Sequence, residues 1–196
     1  MNLPNRITLF RVLMIPVFLF FYIVRPFGGE IGLWVALAVF AVASISDALD
    51  GYYARSRGLV TNFGKLMDPL ADKLLVCAAF VAFVASGTIP AWAAIIFISR
   101  EFFVSGLRQL ALEQGAVLAA SVGGKIKTVT QMVLIHFILV PIPSFINEAF
   151  PVVLSARDVI VWVLLILSLV ASVLSGIDYG YKNWGLLRFS NPGGGK

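Results

Sequence analysis

Two pairs of aspartates interrupt otherwise apolar sequence: Asp47 and Asp50, then Asp68 and Asp72. They belong to a longer pattern, Asp47-x-x-Asp50-Gly51-x-x-Ala54-Arg55, eight residues, then Gly64-x-x-x-Asp68-x-x-x-Asp72. Offsets of three and four put Asp47, Asp50, Gly51 and Ala54 on one face of a helix. Gly64, Asp68 and Asp72, each four apart, share a face of the next helix. The loop Arg55–Phe63 joins the two as an antiparallel hairpin, so the two acidic faces can meet. Four like charges repel, and divalent cations relieve that repulsion. Mg²⁺ and Mn²⁺ prefer carboxylate oxygens, and Mg²⁺ commonly bridges to phosphates. Two ions about 3.5–4 Å apart can polarise a phosphoryl group and stabilise attacking and leaving oxygens. Two ions are therefore expected on Asp47, Asp50, Asp68 and Asp72.

The elements that carry these carboxylates are membrane spans. The chain is 60% hydrophobic and 13% charged, against about 25% charged in soluble domains. A helix needs about 20 residues to cross the hydrocarbon core. Six spans are expected, roughly Ile7–Val24, Ile31–Tyr53, Leu66–Ser86, Ala91–Leu110, Ile126–Val140 and Val159–Ile177. Pro26 to Gly29, Gly58, Gly87 with Pro90, Gly115, Gly123-Gly124, and Pro141 with Pro143 break the runs between them. The expected fold is an all-α membrane protein with an amphipathic stretch from Leu3, where Asn5, Arg6 and Arg11 suit a surface-lying start. The expected domain organisation is a single membrane domain over residues 1–190 and a disordered Gly-rich tail, 191–196. No cleaved signal peptide is expected, because the first apolar run continues to Val24 without a small-residue cleavage pattern.

An even number of spans puts both termini on one side. That side then holds all 15 basic residues except Arg25 and Arg157, which makes it cytoplasmic by the positive-inside rule. Leu33–Ser46 and Leu74–Ser86 are too short to cross alone, so the aspartates must lie within the spans, near the cytoplasmic end. Arg100, Glu101, Lys125 and Lys127 come to the same depth. A charge at membrane depth costs a few kcal/mol, and chains keep such residues at wet cavities or ligands. Buried ion pairing explains one Asp–Arg pair, but Arg100 cannot neutralise four carboxylates.

The aspartate pattern resembles the signature of the CDP-alcohol phosphotransferase family, and all eight fixed positions are present. The resemblance extends to the six-span architecture. It implies transfer of a phospho-group from a CDP-linked donor to an alcohol with release of CMP. It also implies Mg²⁺ or Mn²⁺ dependence, a homodimer and an active site open to the cytoplasm. Carried onto this chain, the four aspartates bind metal, and Gly51, Ala54, Arg55 and Gly64 line the CDP site. Asp72 is also the general base, hence the catalytic residue. Gly51 and Ala54 lack bulk and leave room for a nucleotide, although either alone fits close helix packing equally well.

Further stretches bear on the acceptor. Ile98 to Gln109, Gly124 to Met132, Asn5-x-Ile-Thr-Leu-x-Arg11 and Asp178-Tyr179 are similar to family members that use CDP-diacylglycerol and glycerol 3-phosphate. Arg100, Arg108, Lys125 and Lys127 converge on the cytoplasmic mouth and suit an acceptor phosphate. The alternatives are that they follow the positive-inside rule alone, or that Arg100 pairs with Glu101 or an aspartate. Acceptors in competition are phosphatidylglycerol, inositol phosphate and serine. A cation transporter would use the carboxylates as an ion site, but the outer halves of the spans offer few polar residues. A non-catalytic lipid-binding scaffold is the remaining alternative. Membrane lipids are expected partners and nucleic acid is not. His136 reads as an interhelical hydrogen-bond partner and Cys77 as a packing residue. Trp34, Trp92, Trp162 and Trp184 read as an aromatic belt.

Overall fold

The computed structural model describes the backbone of residues 3–26, 29–57, 62–115, 118, 121–143, 146 and 152–187. Side chains are described for those residues outside 3–8, 47–72 and 186–187. Every regular element among them is a helix: α1 (Leu3–Ile23), α2 (Gly29–Arg57), α3 (Asn62–Ala85), α4 (Ala91–Glu113), α5 (Val122–Leu139), α6 (Val152–Lys182) and the single turn α7 (Trp184–Leu187). The six long helices fall on the six expected spans. Three stretches are long and apolar enough to cross a bilayer outright: Gly29–Ser46 in α2, all of α5 and all of α6. Leu9–Ile23 in α1 and Lys73–Ala85 in α3 are shorter apolar stretches.

The helix ends follow local chemistry. Gly87 adopts φ 72°, where a Cβ would be strained. It closes α3 through its amide, which donates to Val84 O at 3.0 Å. α5 begins earlier than expected, at Val122, and takes Gly123 and Gly124 into its first turn. Ser121 explains this: its Oγ accepts from the Gly124 amide at 3.1 Å, as an N-cap does. α6 begins at Val152, ahead of the expected Val159, so Trp162 lies within the helix rather than at its end. The four tryptophans are all about half exposed or more. The tail 191–196 lies outside the described residues.

The chain forms two compact units, Met1–Ala94 with Ile135–Val161, and Ile95–Leu134 with Trp162–Lys196. In the first, α1 packs against both α2 and α3. The contact is aromatic. Phe18 lies 5.6 Å from Phe40 of α2 between ring centroids, and Tyr22 lies 5.3 Å from Phe83 of α3. The Tyr22 hydroxyl and Ser86 Oγ hydrogen-bond at 2.8 Å, tying together the C-terminal ends of α1 and α3. His136 of α5 sets its ring edge-on to Phe40 of α2, with centroids 5.4 Å apart.

Arg157 closes the C-terminal end of α5. Its Nη2 donates to Ile138 O at 2.8 Å and to Val140 O at 3.0 Å. These carbonyls lie at the end of α5, where a cation also meets the negative pole of the helix dipole. Arg157→Ala should therefore lower stability by about 1–2 kcal/mol. Thermal unfolding in detergent measures this, with an unchanged midpoint as the contrary result.

The second unit shows what solvent the fold expects. On α6, Ser168, Ser172 and Ser175 are buried, while Val163, Ile166, Leu167, Val170, Val173, Leu174 and Ile177 are exposed. A helix that turns serines inward and a wide apolar surface outward suits lipid rather than water. The fold is that of an all-α membrane protein.

Candidate active site

α2 carries Asp47, Asp50, Gly51, Ala54 and Arg55, and α3 carries Gly64, Asp68 and Asp72. All eight motif positions are helical. Arg55, expected at the start of the connecting loop, continues α2, and the connection narrows to residues 58–61. This regularity fixes the faces that the sequence implies: Asp47, Asp50, Gly51 and Ala54 within two turns of α2, and Gly64, Asp68 and Asp72 within three turns of α3. The two helices touch each other as well as α1. The side chains of residues 47–72, which the expected metal and nucleotide contacts concern, lie outside the described residues.

The donor set suits a divalent cation chemically. Four carboxylates on two touching helices offer hard oxygen ligands and enough negative charge for two ions. Arg11 is a correction to the sequence reading. It was expected at a surface-lying helix start, and instead it is 2% exposed, within the α1 that packs on both aspartate helices. The packing of α1 explains the difference: Phe18 and Tyr22 of the same helix meet α2 and α3, and α1 packs on both rather than lying on the membrane surface.

The expected acceptor residues belong to the second unit. Arg100 of α4 donates from Nη2 to Ser175 Oγ at 2.5 Å, and its Nη1 lies 3.5 Å from Glu101 Oε1. Lys127 of α5 forms an ion pair with the same Glu101 oxygen and is buried. Of the alternatives for Arg100, pairing with Glu101 is thus observed. One carboxylate pairs with two cations. The close approach of α6 to Arg100 depends on Gly176, where a Cβ would come within 3.1 Å of Arg100 Cγ.

Arg108 lies two turns further along α4. Its Nε donates to the Tyr179 hydroxyl at 3.2 Å, and its guanidinium carbon sits 5.5 Å from the centre of that ring. Tyr179 is buried against Val104 and Leu107. It is therefore the support of a candidate binding residue, a role that the sequence did not disclose. Its neighbour Asp178 pairs instead with Lys182, one turn on and exposed. Lys125 is exposed in the first turn of α5. The structure thus joins Arg100 and Lys127 through Glu101, holds Arg108 on Tyr179, and leaves Lys125 facing outward. Ser175 is a further member that sequence reasoning missed, whereas Glu101 was named as a partner for Arg100. The signal available was a charged pair, Arg100-Glu101, inside an apolar run.

An all-helical membrane fold with paired aspartates on adjoining helices defines a class of lipid-linked phosphotransferase. The CDP-alcohol phosphatidyltransferase family model matches residues 1–174, and the chain belongs to that family. It is 42% identical over 200 residues to a CDP-diacylglycerol–glycerol-3-phosphate 3-phosphatidyltransferase of Bacillus subtilis, covering 97% of this chain and 99% of that protein. A probable phosphatidylglycerophosphate synthase of Mycobacterium tuberculosis is 36% identical over 91% of this chain and 79% of its own length. A Rickettsia typhi 3-phosphatidyltransferase of the same description is 41% identical over 67% of this chain and 72% of its own.

Proposed function

We propose that this chain transfers the phosphatidyl group of CDP-diacylglycerol to glycerol 3-phosphate, giving phosphatidylglycerophosphate and CMP. The observation that carries this reading is the complete aspartate pattern on α2 and α3 in a chain similar along almost its whole length to the Bacillus subtilis enzyme. The reading takes residues 1–190 as one membrane domain with both termini and the site on the cytoplasmic face, working as a homodimer. Cytoplasmic placement is supported by the distribution of the basic residues.

Asp47, Asp50, Asp68 and Asp72 would hold two Mg²⁺ or Mn²⁺ ions. Such ions, when bound, supply charge stabilisation at the donor pyrophosphate. Gly51, Ala54 and Gly64 leave room along α2 and α3 for the cytidine head, and Arg55 adds a positive charge for the donor's phosphates. Asp72 takes the proton from the acceptor hydroxyl. The freed oxygen attacks the β-phosphorus of the donor, a new P–O bond forms, and the bond to CMP breaks in line. Arg100, Arg108, Lys125 and Lys127 bind the acceptor phosphate. Arg100 and Lys127 are brought together at Glu101, which supports a shared role for them.

The test is steady-state kinetics with each substrate varied at saturation of the other. Arg100→Ala and Lys125→Ala should raise the KM for glycerol 3-phosphate more than that for CDP-diacylglycerol. A charged hydrogen bond is worth about 1.5–3 kcal/mol, so acceptor kcat/KM should fall roughly tenfold or more. Lys125→Ala is the cleaner variant, because Arg100 also anchors to Ser175. Lys would replace Arg100 poorly if two-pronged binding is used. Effects confined to the donor would move these residues to the CDP-lipid pyrophosphate.

A further inference from the structure

Arg11 is a buried guanidinium to which neither the aspartate pattern nor the acceptor cluster gives a task. Its place follows from two ring contacts and the repeat of the helix. Phe18 of α1 meets Phe40 of α2, and the two helices run antiparallel across the short turn between them. Seven residues make very nearly two full turns. Seven back from Phe18 is Arg11, and seven on from Phe40 is Asp47. Both steps travel the same way along the bundle and, with α1 helical through Pro16 over Leu3–Ile23, return close to the face on which they began. Positions 11 and 47 therefore stand level on the faces through which α1 and α2 touch.

The second contact gives an independent register. Tyr22 of α1 meets Phe83 of α3, and its hydroxyl bonds Ser86, so the C-terminal ends of α1 and α3 lie together and the helices run parallel. Eleven residues make three full turns. Eleven back from Tyr22 is again Arg11, and eleven back from Phe83 is Asp72. Two separate contacts with different repeats thus bring Arg11 level with one aspartate of each pair.

We infer that Arg11 is a positioning residue for the aspartate cluster: its guanidinium sits between the carboxylate positions of α2 and α3, offsets part of their repulsion, and holds Asp47 and Asp72 in register. The inference rests on the reading that these aspartates hold metal. A planar guanidinium with several donors can bond two carboxylates at once, whereas an ammonium acts as a point charge. Arg11 and the metal then neutralise the same carboxylates, so each lessens the need for the other. Removing the arginine charge should tighten metal binding while loosening the geometry that turnover needs.

The test uses the full chain in detergent with Mn²⁺ as the probe, comparing wild type, Arg11→Met and Arg11→Lys. Arg11→Met should bind Mn²⁺ several-fold more tightly by titration calorimetry. Its Tm under chelation should fall well below wild type and should recover most of the loss when Mn²⁺ is saturating. Its kcat at saturating metal should drop at least tenfold. Arg11→Lys keeps the charge, so its Mn²⁺ affinity should stay near wild type while kcat falls. If Arg11→Met does not survive chelation, it is purified with Mn²⁺ present, and the Kd and the Arg11→Lys comparison still decide. Unchanged or weaker Mn²⁺ binding in Arg11→Met would overturn the inference, as would an equal loss of Tm with and without metal. Failure of the underlying reading looks different: wild type itself would then show no Mn²⁺ binding sensitive to Asp68→Asn.

Discussion

Asp72→Asn should abolish CMP release while leaving the protein folded. Asp72 is the last carboxylate of its face on α3, one turn beyond Asp68. An amide cannot take a proton from the acceptor hydroxyl, and it withdraws one negative charge from the metal-binding set. General base catalysis alone contributes about 10²–10⁴-fold, and the lost metal ligand adds to that. The substitution is close to isosteric, and it removes a charge from a repelling cluster, so stability should not suffer. The measurement is turnover at saturating Mg²⁺ together with Tm in detergent. Near wild-type CMP release would remove Asp72 from the base role, whereas a collapse of Tm would make it a structural residue.

Chelation should produce a comparably complete loss, and it should be reversible. Four carboxylates on two touching helices repel at a depth where charge is costly, and Mg²⁺ or Mn²⁺ offsets that repulsion. Activity should vanish after exhaustive chelation and return on adding either ion. Ca²⁺ prefers more ligands at longer distances, so it should restore less. Full activity in the chelated protein would refute metal dependence.

The readable part of the fold was what hydrophobicity and helical spacing control. Six apolar runs became six long helices, and the aspartate spacing fell on unbroken helix. Boundaries were missed where a single local interaction decided them. Ser121 captured the glycine pair that reads as a breaker, and it starts α5 early. Arg11 was misplaced because a basic residue early in the first span looks like a surface anchor. Its burial depends on which neighbours α1 acquires, and that is tertiary information. The acceptor cluster was half readable for a similar reason. Charge bias named Arg100, Arg108 and Lys127, but the partners Ser175 for Arg100, Tyr179 for Arg108 and Glu101 for Lys127 come from contacts between helices.

The central claim is that this chain joins a phosphatidyl group to glycerol 3-phosphate. The most direct measurement supplies the purified protein with CDP-diacylglycerol and Mg²⁺. Glycerol 3-phosphate, phosphatidylglycerol, inositol phosphate and serine are offered in separate reactions, and CMP and the lipid product are both quantified. The account predicts CMP and phosphatidylglycerophosphate in equal amounts with glycerol 3-phosphate, and little CMP with the others. Preferred turnover of another acceptor would contradict the acceptor assignment, and no metal-dependent CMP release with any of them would contradict the enzyme reading itself.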